Sequence, residues 1–259
     1  MKISEAVREI ETFAPLHLQE SYDNSGYICG NPEELITGIL LAIDITEQVI
    51  DEAIEKNCNL IISHHPLIFK GIKKLIPTNY INRCLIKAIK NNITIYAAHT
   101  NIDSVSNGVS MTMAEKLNLQ NTTVLCPKDE QGDGLGLIGE LPQSVPALEL
   151  LQTIKQQFKC QAIRHSSICK KEIKTVAVCG GSGAEFIELA IHANADIYIT
   201  GDIKHHDWFR AEDKIIIVDI GHYESEQYTK ELFYSILTKK ITNFAVHYSQ
   251  TDKSPVSVL

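Results

Sequence analysis

The sequence lacks the patterns that mark several common classes of protein. No stretch approaches the roughly 18 consecutive apolar residues of a membrane-spanning helix. The first residues contain no apolar block of the kind found in a signal peptide. There is no CxxC pair and no GxSxG nucleophile elbow. These absences argue against a membrane protein, a zinc knuckle and a serine hydrolase.

Positive charge is also in short supply. The chain contains 24 Lys and Arg residues against 32 Asp and Glu residues, which gives a formal net charge of −8. A nucleic-acid groove needs a basic surface, so we expect no nucleic-acid partner. A metal site sets its own local field, so the negative charge does not exclude small anionic substrates.

The cysteines are odd in number and scattered, which does not suit a disulfide framework. We interpret them as free thiols of a reducing compartment and expect a cytoplasmic protein. The seven residues are Cys29, Cys58, Cys84, Cys126, Cys160, Cys169 and Cys179.

Two adjacent histidines, His64 and His65, follow a short run of apolar or small residues at positions 60–63 and precede Pro66. A short apolar run after a helical pattern is typical of a buried parallel strand. Where such a strand ends the chain turns, so both rings can reach the crevice in which open α/β sheets bind ligands. The pair therefore suggests one ligand for each of two neighbouring metals. Surface or hydrogen-bonded histidines are the alternative.

Two further strand ends carry a histidine that is followed four residues later by a carboxylate. They are His99 with Asp103 and His222 with Glu226. If each segment continues as a helical turn, positions i and i+4 share one face. An imidazole and a carboxylate on that face can hold one metal ion or two adjacent ions. For each pattern taken alone, the alternative is a solvated start of a helix.

Strands that alternate with helices predict an α/β fold with parallel sheets. Residues 50–65 can be laid over residues 187–202, because a helix leads into a strand in both segments. We interpret this as an internal repeat of two similar α/β domains, packed face to face with the metal site between them. Two ordinary βαβ units that coincide by chance are the alternative. The predicted domains are residues 1–126 with 241–259, and residues 127–240.

Two other clusters have interpretations that stay open. Residues 180–183, with the sequence Gly-Gly-Ser-Gly, lie between a predicted strand and a predicted helix. They form either an anion site on backbone N–H groups or a tight turn, and they lack the P-loop lysine. Residues 204–207 include His205 and His206. We interpret them as a polar loop that lines the cleft, with a further metal cluster as the alternative.

Six segments with a specific pattern occur in order along most of the chain. They are residues 23–26 (DNSG), 61–71 (IISHHPLIFKG), 98–103 (AHTNID), 178–183 (VCGGSG), 198–202 (YITGD) and 221–226 (GHYESE). These segments closely resemble the GTP cyclohydrolase I type 2 homologues, also called the Nif-three-like proteins. The chain resembles the short form of that family, which lacks an inserted domain after the first half.

The resemblance implies a two-domain α/β fold, a dinuclear divalent-metal site between the domains and a toroidal homohexamer. It also implies that Glu226 touches both metal ions and that His99 lies close to the site. The metal ligands that it implies are His64, His65, Asp103, His222 and Glu226.

Two hypotheses of function follow. The first is a metal-dependent hydrolase that acts on GTP or another small nucleotide-like substrate through a metal-bound hydroxide. In this hypothesis His99 is the candidate proton shuttle, because an imidazole titrates near the working pH. The second is a non-catalytic metal-binding ring protein, acting as a metallochaperone or an interaction scaffold. Histidine and carboxylate ligands suit Zn, Fe, Mn, Ni and Co alike, so the identity of the two ions stays open.

Overall fold

The structure is a computed structural model that describes residues 1–129, 132–240 and 244–259. In these ranges the chain forms a mixed α/β fold with two sheets. The strands are β1 (Gly26–Cys29), β2 (Ile39–Ala42), β3 (Leu60–Ser63), β4 (Thr94–Ala97), β5 (Gln120–Pro127), β6 (Gly134–Pro146), β7 (Arg164–His165), β8 (Glu172–Ser182), β9 (Ile197–Gly201), β10 (Ile216–Asp219) and β11 (Val246–Tyr248).

Nearly all the helices are short. None of those in the described part of the chain is long and apolar enough to cross a membrane. The helices are α1 (Ile3–Phe13), α2 (Glu47–Glu55), α3 (Tyr80–Lys90), α4 (Thr100–Ser104), α5 (Val109–Lys116), α6 (Ala147–Gln157), α7 (Ile187–His192), α8 (His222–Glu226) and α9 (Thr229–Thr238).

The chain divides into two compact units. The first contains Met1–Ile102 and Thr229–Lys253, and the second contains Asp103–Tyr228 and Ser254–Leu259. This division falls before α5, which packs against β6 and β8. The predicted domain limits at residues 126 and 241 stay a prediction.

The first unit contains a five-stranded sheet in the order β1-β4-β3-β2-β11. All neighbours are parallel except β1, which pairs antiparallel with β4. Every residue of β2, β3 and β4 is buried, as expected for parallel strands covered on both faces. Ala42, Ser63 and Ala97 lie side by side in the register, so these three strands end together. The residues that follow them therefore emerge at one edge of the sheet.

The second unit contains a six-stranded sheet in the order β5-β6-β8-β9-β10-β7. Its central strands β8, β9 and β10 are parallel, as predicted. The expectation of parallel sheets is wrong for the outer strands, because β5, β6 and β7 pair antiparallel with their neighbours. An antiparallel pair needs no crossover helix, so the alternation of strands and helices gave no sign of these strands.

The two faces of the second sheet bury alternate residues of the same strands. Val178 and Ile199 belong to one buried cluster, while Ala177 and Tyr198 belong to another. Successive side chains of a strand point to opposite faces, so continuous apolar runs are required when both faces are covered. This explains why the central strands show no polar alternation in the sequence.

A turn after β11 fastens the C-terminal part of the first unit to α2. The buried Glu52 carboxylate accepts hydrogen bonds from Ser249 Oγ (2.7 Å) and from the backbone N–H groups of Gln250 (3.0 Å) and Thr251 (3.1 Å). Burial raises the pKa of Glu52, but the surrounding donors outweigh it and lower the pKa to about 2. The ionised carboxylate thus joins segments that lie far apart in the sequence.

We expect Glu52→Gln to lower the free energy of unfolding by about 2 kcal/mol at pH 7, because hydrogen bonds to a charged acceptor contribute about that much. The folded-state pKa of about 2 lies below the ordinary value of 4.5. The stabilisation is therefore present above pH 4.5 and is lost as the pH falls toward 2. Urea unfolding at pH 7 and at pH 3 measures the difference.

The control for this prediction is Glu55→Gln, which changes an exposed carboxylate of the same helix. It should leave the unfolding free energy nearly unchanged at both pH values. Equal destabilisation by Glu52→Gln at pH 7 and pH 3 would contradict a role for the ionised form.

Candidate metal centre

Three histidines of the first unit come together where β3 and β4 end. His64 and His65 follow β3, and their backbone N–H groups donate to the carbonyl oxygens of Ala42 (3.2 Å) and Ile43 (2.9 Å). His99 follows β4 after one residue. The candidate ligand nitrogens of His64, His65 and His99 lie within 4.8 Å of one another. The sheet register therefore produces this cluster, because neighbouring strands end at the same level.

Each of these histidines donates its Nδ1–H group to an oxygen atom that can only accept. The acceptor is the Ala98 carbonyl for His64 (2.9 Å) and an Asp44 carboxylate oxygen for His65 (2.8 Å). For His99 it is a carboxylate oxygen of Asp23, also at 2.8 Å. A neutral imidazole that donates from Nδ1 carries its lone pair on Nε2, and metal-binding histidines commonly show this arrangement.

Asp23 lies in a surface turn, and its buried side chain holds His99. The side chain is 0% exposed and accepts hydrogen bonds from His99, from the Thr100 backbone N–H (3.0 Å) and from Ser25 Oγ (2.9 Å). Burial raises the pKa of the Asp23 carboxyl, but the hydrogen bonds from His99 and Thr100 outweigh it and hold the pKa well below its usual range. Asp23 is therefore an anion that fixes the orientation of His99.

In the second unit, α8 presents a histidine and a carboxylate one turn apart. His222 Nε2 lies 3.1 Å from Glu226 Oε2, which confirms the predicted shared face of positions i and i+4. Asp202 Oδ2 accepts a hydrogen bond from His222 Nδ1 at 2.8 Å. Glu226 is buried, and one of its carboxylate oxygens lies within 4.8 Å of a carboxylate oxygen of Asp103.

The donor atoms fit a divalent cation. Asp103 and Glu226 bring two carboxylates close together, and like charges at that distance favour a bound positive ion. Imidazole nitrogen and carboxylate oxygen are the ligands that Zn and other divalent transition metals use in proteins. Each unit thus supplies donors of the kind that could hold a divalent ion; the set of ligands and the number of ions stay predictions.

The glycine-rich residues 180–183 have a different role from either predicted one. Gly180, Gly181 and Ser182 continue β8 as a strand, so the expected turn or anion loop is wrong for them. Gly181 has a positive φ of 63°, and a Cβ atom at this position would overlap Glu226 Oε1. The absence of a side chain at residue 181 thus leaves room for the Glu226 carboxylate.

The second His-His pair lies on an exposed loop after β9. The rings of His205 and His206 lie 5.1 Å apart, and the His205 ring lies 5.7 Å from that of Phe209. In the described part of the chain, neither histidine belongs to a group of three ligands that could hold a metal ion. His205 and His206 thus lie on an exposed polar loop, and the interpretation that residues 204–207 line the cleft stays a prediction.

The acceptors of the histidine Nδ1–H groups are the functional residues that the sequence analysis did not assign. Asp23 and Asp202 lie in two of the six quoted segments, where neither has an assigned role. Asp44 and Asp202 each follow closely after a buried strand. A carboxylate at a strand end was the available signal, because the ends of neighbouring parallel strands meet.

Comparisons with known proteins agree over nearly the whole chain. The sequence model of the family Duf34/NIF3 (NGG1p interacting factor 3) matches residues 1–255. A Clostridium acetobutylicum protein named GTP cyclohydrolase 1 type 2 homolog is 38% identical over 231 residues, covering 87% of this chain and 85% of that protein. A Campylobacter jejuni protein of the same name is 35% identical, covering 94% of this chain and 93% of that protein.

The fold has close structural relatives as well. A solved structure of a Bacillus cereus protein related to NIF3 has a TM-score of 0.91 and 25% sequence identity, and the match covers 100% of this chain and 99% of that one. A Staphylococcus aureus protein gives the same TM-score at 28% identity. These matches confirm the resemblance that the six sequence segments indicated.

We expect Gly181→Ala to weaken metal binding about tenfold. The added Cβ needs the space that Glu226 Oε1 occupies, and a non-glycine residue at positive φ adds strain of about 1–2 kcal/mol. Competition with a chromophoric chelator measures metal affinity, and circular dichroism reports whether the chain is folded. Gly71→Ala is the matched control, because nothing lies within 4 Å of a Cβ atom there. Equal affinity of both variants would contradict the role of Gly181.

Proposed function

Because the chain belongs to the Duf34/NIF3 (NGG1p interacting factor 3) family, we propose that it is a divalent-metal-dependent hydrolase. Its proposed substrate is GTP or another small nucleotide-like compound, in keeping with the name carried by its relatives. One observation carries the proposal: each histidine of the candidate site donates Nδ1–H to a fixed oxygen. The proposed ligands of two divalent ions are His64, His65, Asp103, His222 and Glu226.

Divalent ions at such a site supply Lewis acidity and make water acidic enough to react near neutral pH. The chain's own residues would hold the ions and orient the histidine rings. Asp44 and Asp202 keep two of the histidine rings in the tautomer that presents Nε2. Glu226 would hold metal through its buried carboxylate, beside His222 Nε2.

His99 is the proposed proton carrier. Asp23 accepts its Nδ1–H and remains ionised, so the ring is held with Nε2 free to exchange a proton. The Phe69 ring lies 5.7 Å from the His99 ring and shields one side of it. His99 can thus accept a proton at Nε2 and return it without reorienting.

A second candidate function is metal binding without catalysis, as in a metallochaperone or an interaction scaffold. The observation that favours it is that His99 itself belongs to a possible ligand group with His64 and His65. If His99 binds a metal ion, no imidazole of this cluster is left to carry a proton. The homohexamer that the family resemblance implies stays a prediction.

We expect wild-type protein saturated with Zn, Mn or Co to retain about two equivalents of metal after gel filtration. Glu226→Gln should lose most of it while remaining folded, because an amide lacks the charge of a shared ligand. His205→Ala should retain it, because that histidine lies on the exposed loop. Elemental analysis gives the stoichiometry. Loss of metal in His205→Ala but not in Glu226→Gln would show that the ligand assignment is wrong.

We expect the metal-loaded protein to convert GTP or a related ring compound. Liquid chromatography with mass spectrometry measures the loss of substrate and the formation of product. His99→Gln should lower kcat about a hundredfold or more, as expected for loss of a general acid–base residue, and should keep its metal. If His99→Gln loses metal, His99 is a ligand and the assigned role is wrong. Absence of turnover across nucleotides, nucleosides and their bases would favour the second candidate function.

A further inference from the structure

We propose that residues 69–76, which we call the Phe69 loop, bind a substrate that combines a planar aromatic ring with a phosphate group. The inference rests on the proposed function and names residues that would recognise the substrate of the same site. It assigns ring contact to Phe69 and charge recognition to the lysines of the loop.

The start of the loop is held against the histidine cluster of the first unit. Leu67 is buried in the core, and the Ile68 carbonyl accepts a hydrogen bond from Asn24 Nδ2 at 2.6 Å. Asn24 is the neighbour of Asp23, the residue that orients His99. Two consecutive residues of one turn therefore hold both His99 and the segment that leads into the loop.

Phe69 contacts the site and is still open to solvent. Its ring meets the ring of His99 edge to face, at 81° and 5.7 Å between centroids, yet the residue is 52% exposed. A large aromatic side chain so exposed beside a candidate reactive histidine offers a stacking surface. A planar ring that stacks on Phe69 lies next to His99. Stacking on an aromatic side chain accepts any base, because every base has a flat face.

The loop is also a local concentration of positive charge on an acidic protein. Within the described residues, Lys70, Lys73 and Lys74 are exposed and form no ion pair, whereas Lys56 and Lys87 pair with carboxylates at 2.9 Å and 2.8 Å. The protein as a whole carries a net charge of −8. Three cations without a protein counterion favour an anionic ligand, and a compact ammonium group is a common phosphate partner.

A small molecule fits these features better than a lipid surface does. Ile72, Leu75 and Ile76 are exposed among the lysines, which an anionic membrane would also accept. The contact between Phe69 and His99 is the deciding observation, because it directs a bound ring toward the site. A membrane contact would not require Phe69 to lie against His99.

The test is calorimetric titration of the metal-loaded full chain with GTP and with guanosine. GTP should bind more tightly than guanosine. Lys73→Glu/Lys74→Glu should weaken GTP binding at least tenfold and leave guanosine binding unchanged. Phe69→Ala should weaken both about tenfold, since both ligands carry the ring. The control Lys90→Glu/Lys239→Glu makes the same change of charge at exposed lysines outside the loop and should bind like wild type.

Elemental analysis of each variant separates this proposal from the preceding one. Wild-type protein that holds no metal would overturn the proposed function. Wild-type protein that holds metal but binds GTP no more tightly than guanosine would overturn the loop proposal alone. Equal loss of GTP binding in the loop variant and in its control would also overturn the loop proposal. Binding of phosphatidylserine vesicles that the loop substitutions abolish, with GTP binding unchanged, would replace the small molecule with a lipid surface.

Discussion

The candidate metal centre depends on one kind of hydrogen bond, in which an imidazole Nδ1–H is donated to a fixed oxygen acceptor. His64 donates to a backbone carbonyl, and the other three histidines donate to aspartates. The bond sets the tautomer and restrains the plane of the ring, so Nε2 has a defined direction before any ligand binds. A ligand then binds to a preorganised site and loses less free energy to ordering.

Two backbone features make this arrangement possible. In the first unit, the common level at which β2, β3 and β4 end brings Asp44 and the three histidines to one sheet edge. In the second unit, Gly181 leaves room for the buried Glu226 carboxylate, and Gly221 with φ 92° leads into α8. Strand register and glycine position therefore control where the candidate ligands lie, although the glycines themselves supply none.

The sequence predictions succeeded where the signal was local. The His222 and Glu226 pair needed only the helical period, and a single turn of α8 brings the two side chains within 3.1 Å. They failed where the answer depended on pairing between distant segments. Residues 180–182 looked like a turn because two glycines are adjacent, but β8 continues through an irregularity until Ser182 pairs with Gly201 of β9. The antiparallel outer strands were missed for the same reason.

The sequence by itself determined the family, the α/β class and the candidate metal ligands, because strand-end histidines and i, i+4 carboxylates are local patterns. Only the tertiary structure decided which oxygen atoms hold the histidines and why residue 181 has no side chain. Asp23 and His99 are separated by 76 positions, and Gly181 and Glu226 lie on different elements. The contacts within each pair depend on sheet register and helix packing. Both arise only when distant segments fold together, so no local sequence pattern predicts them.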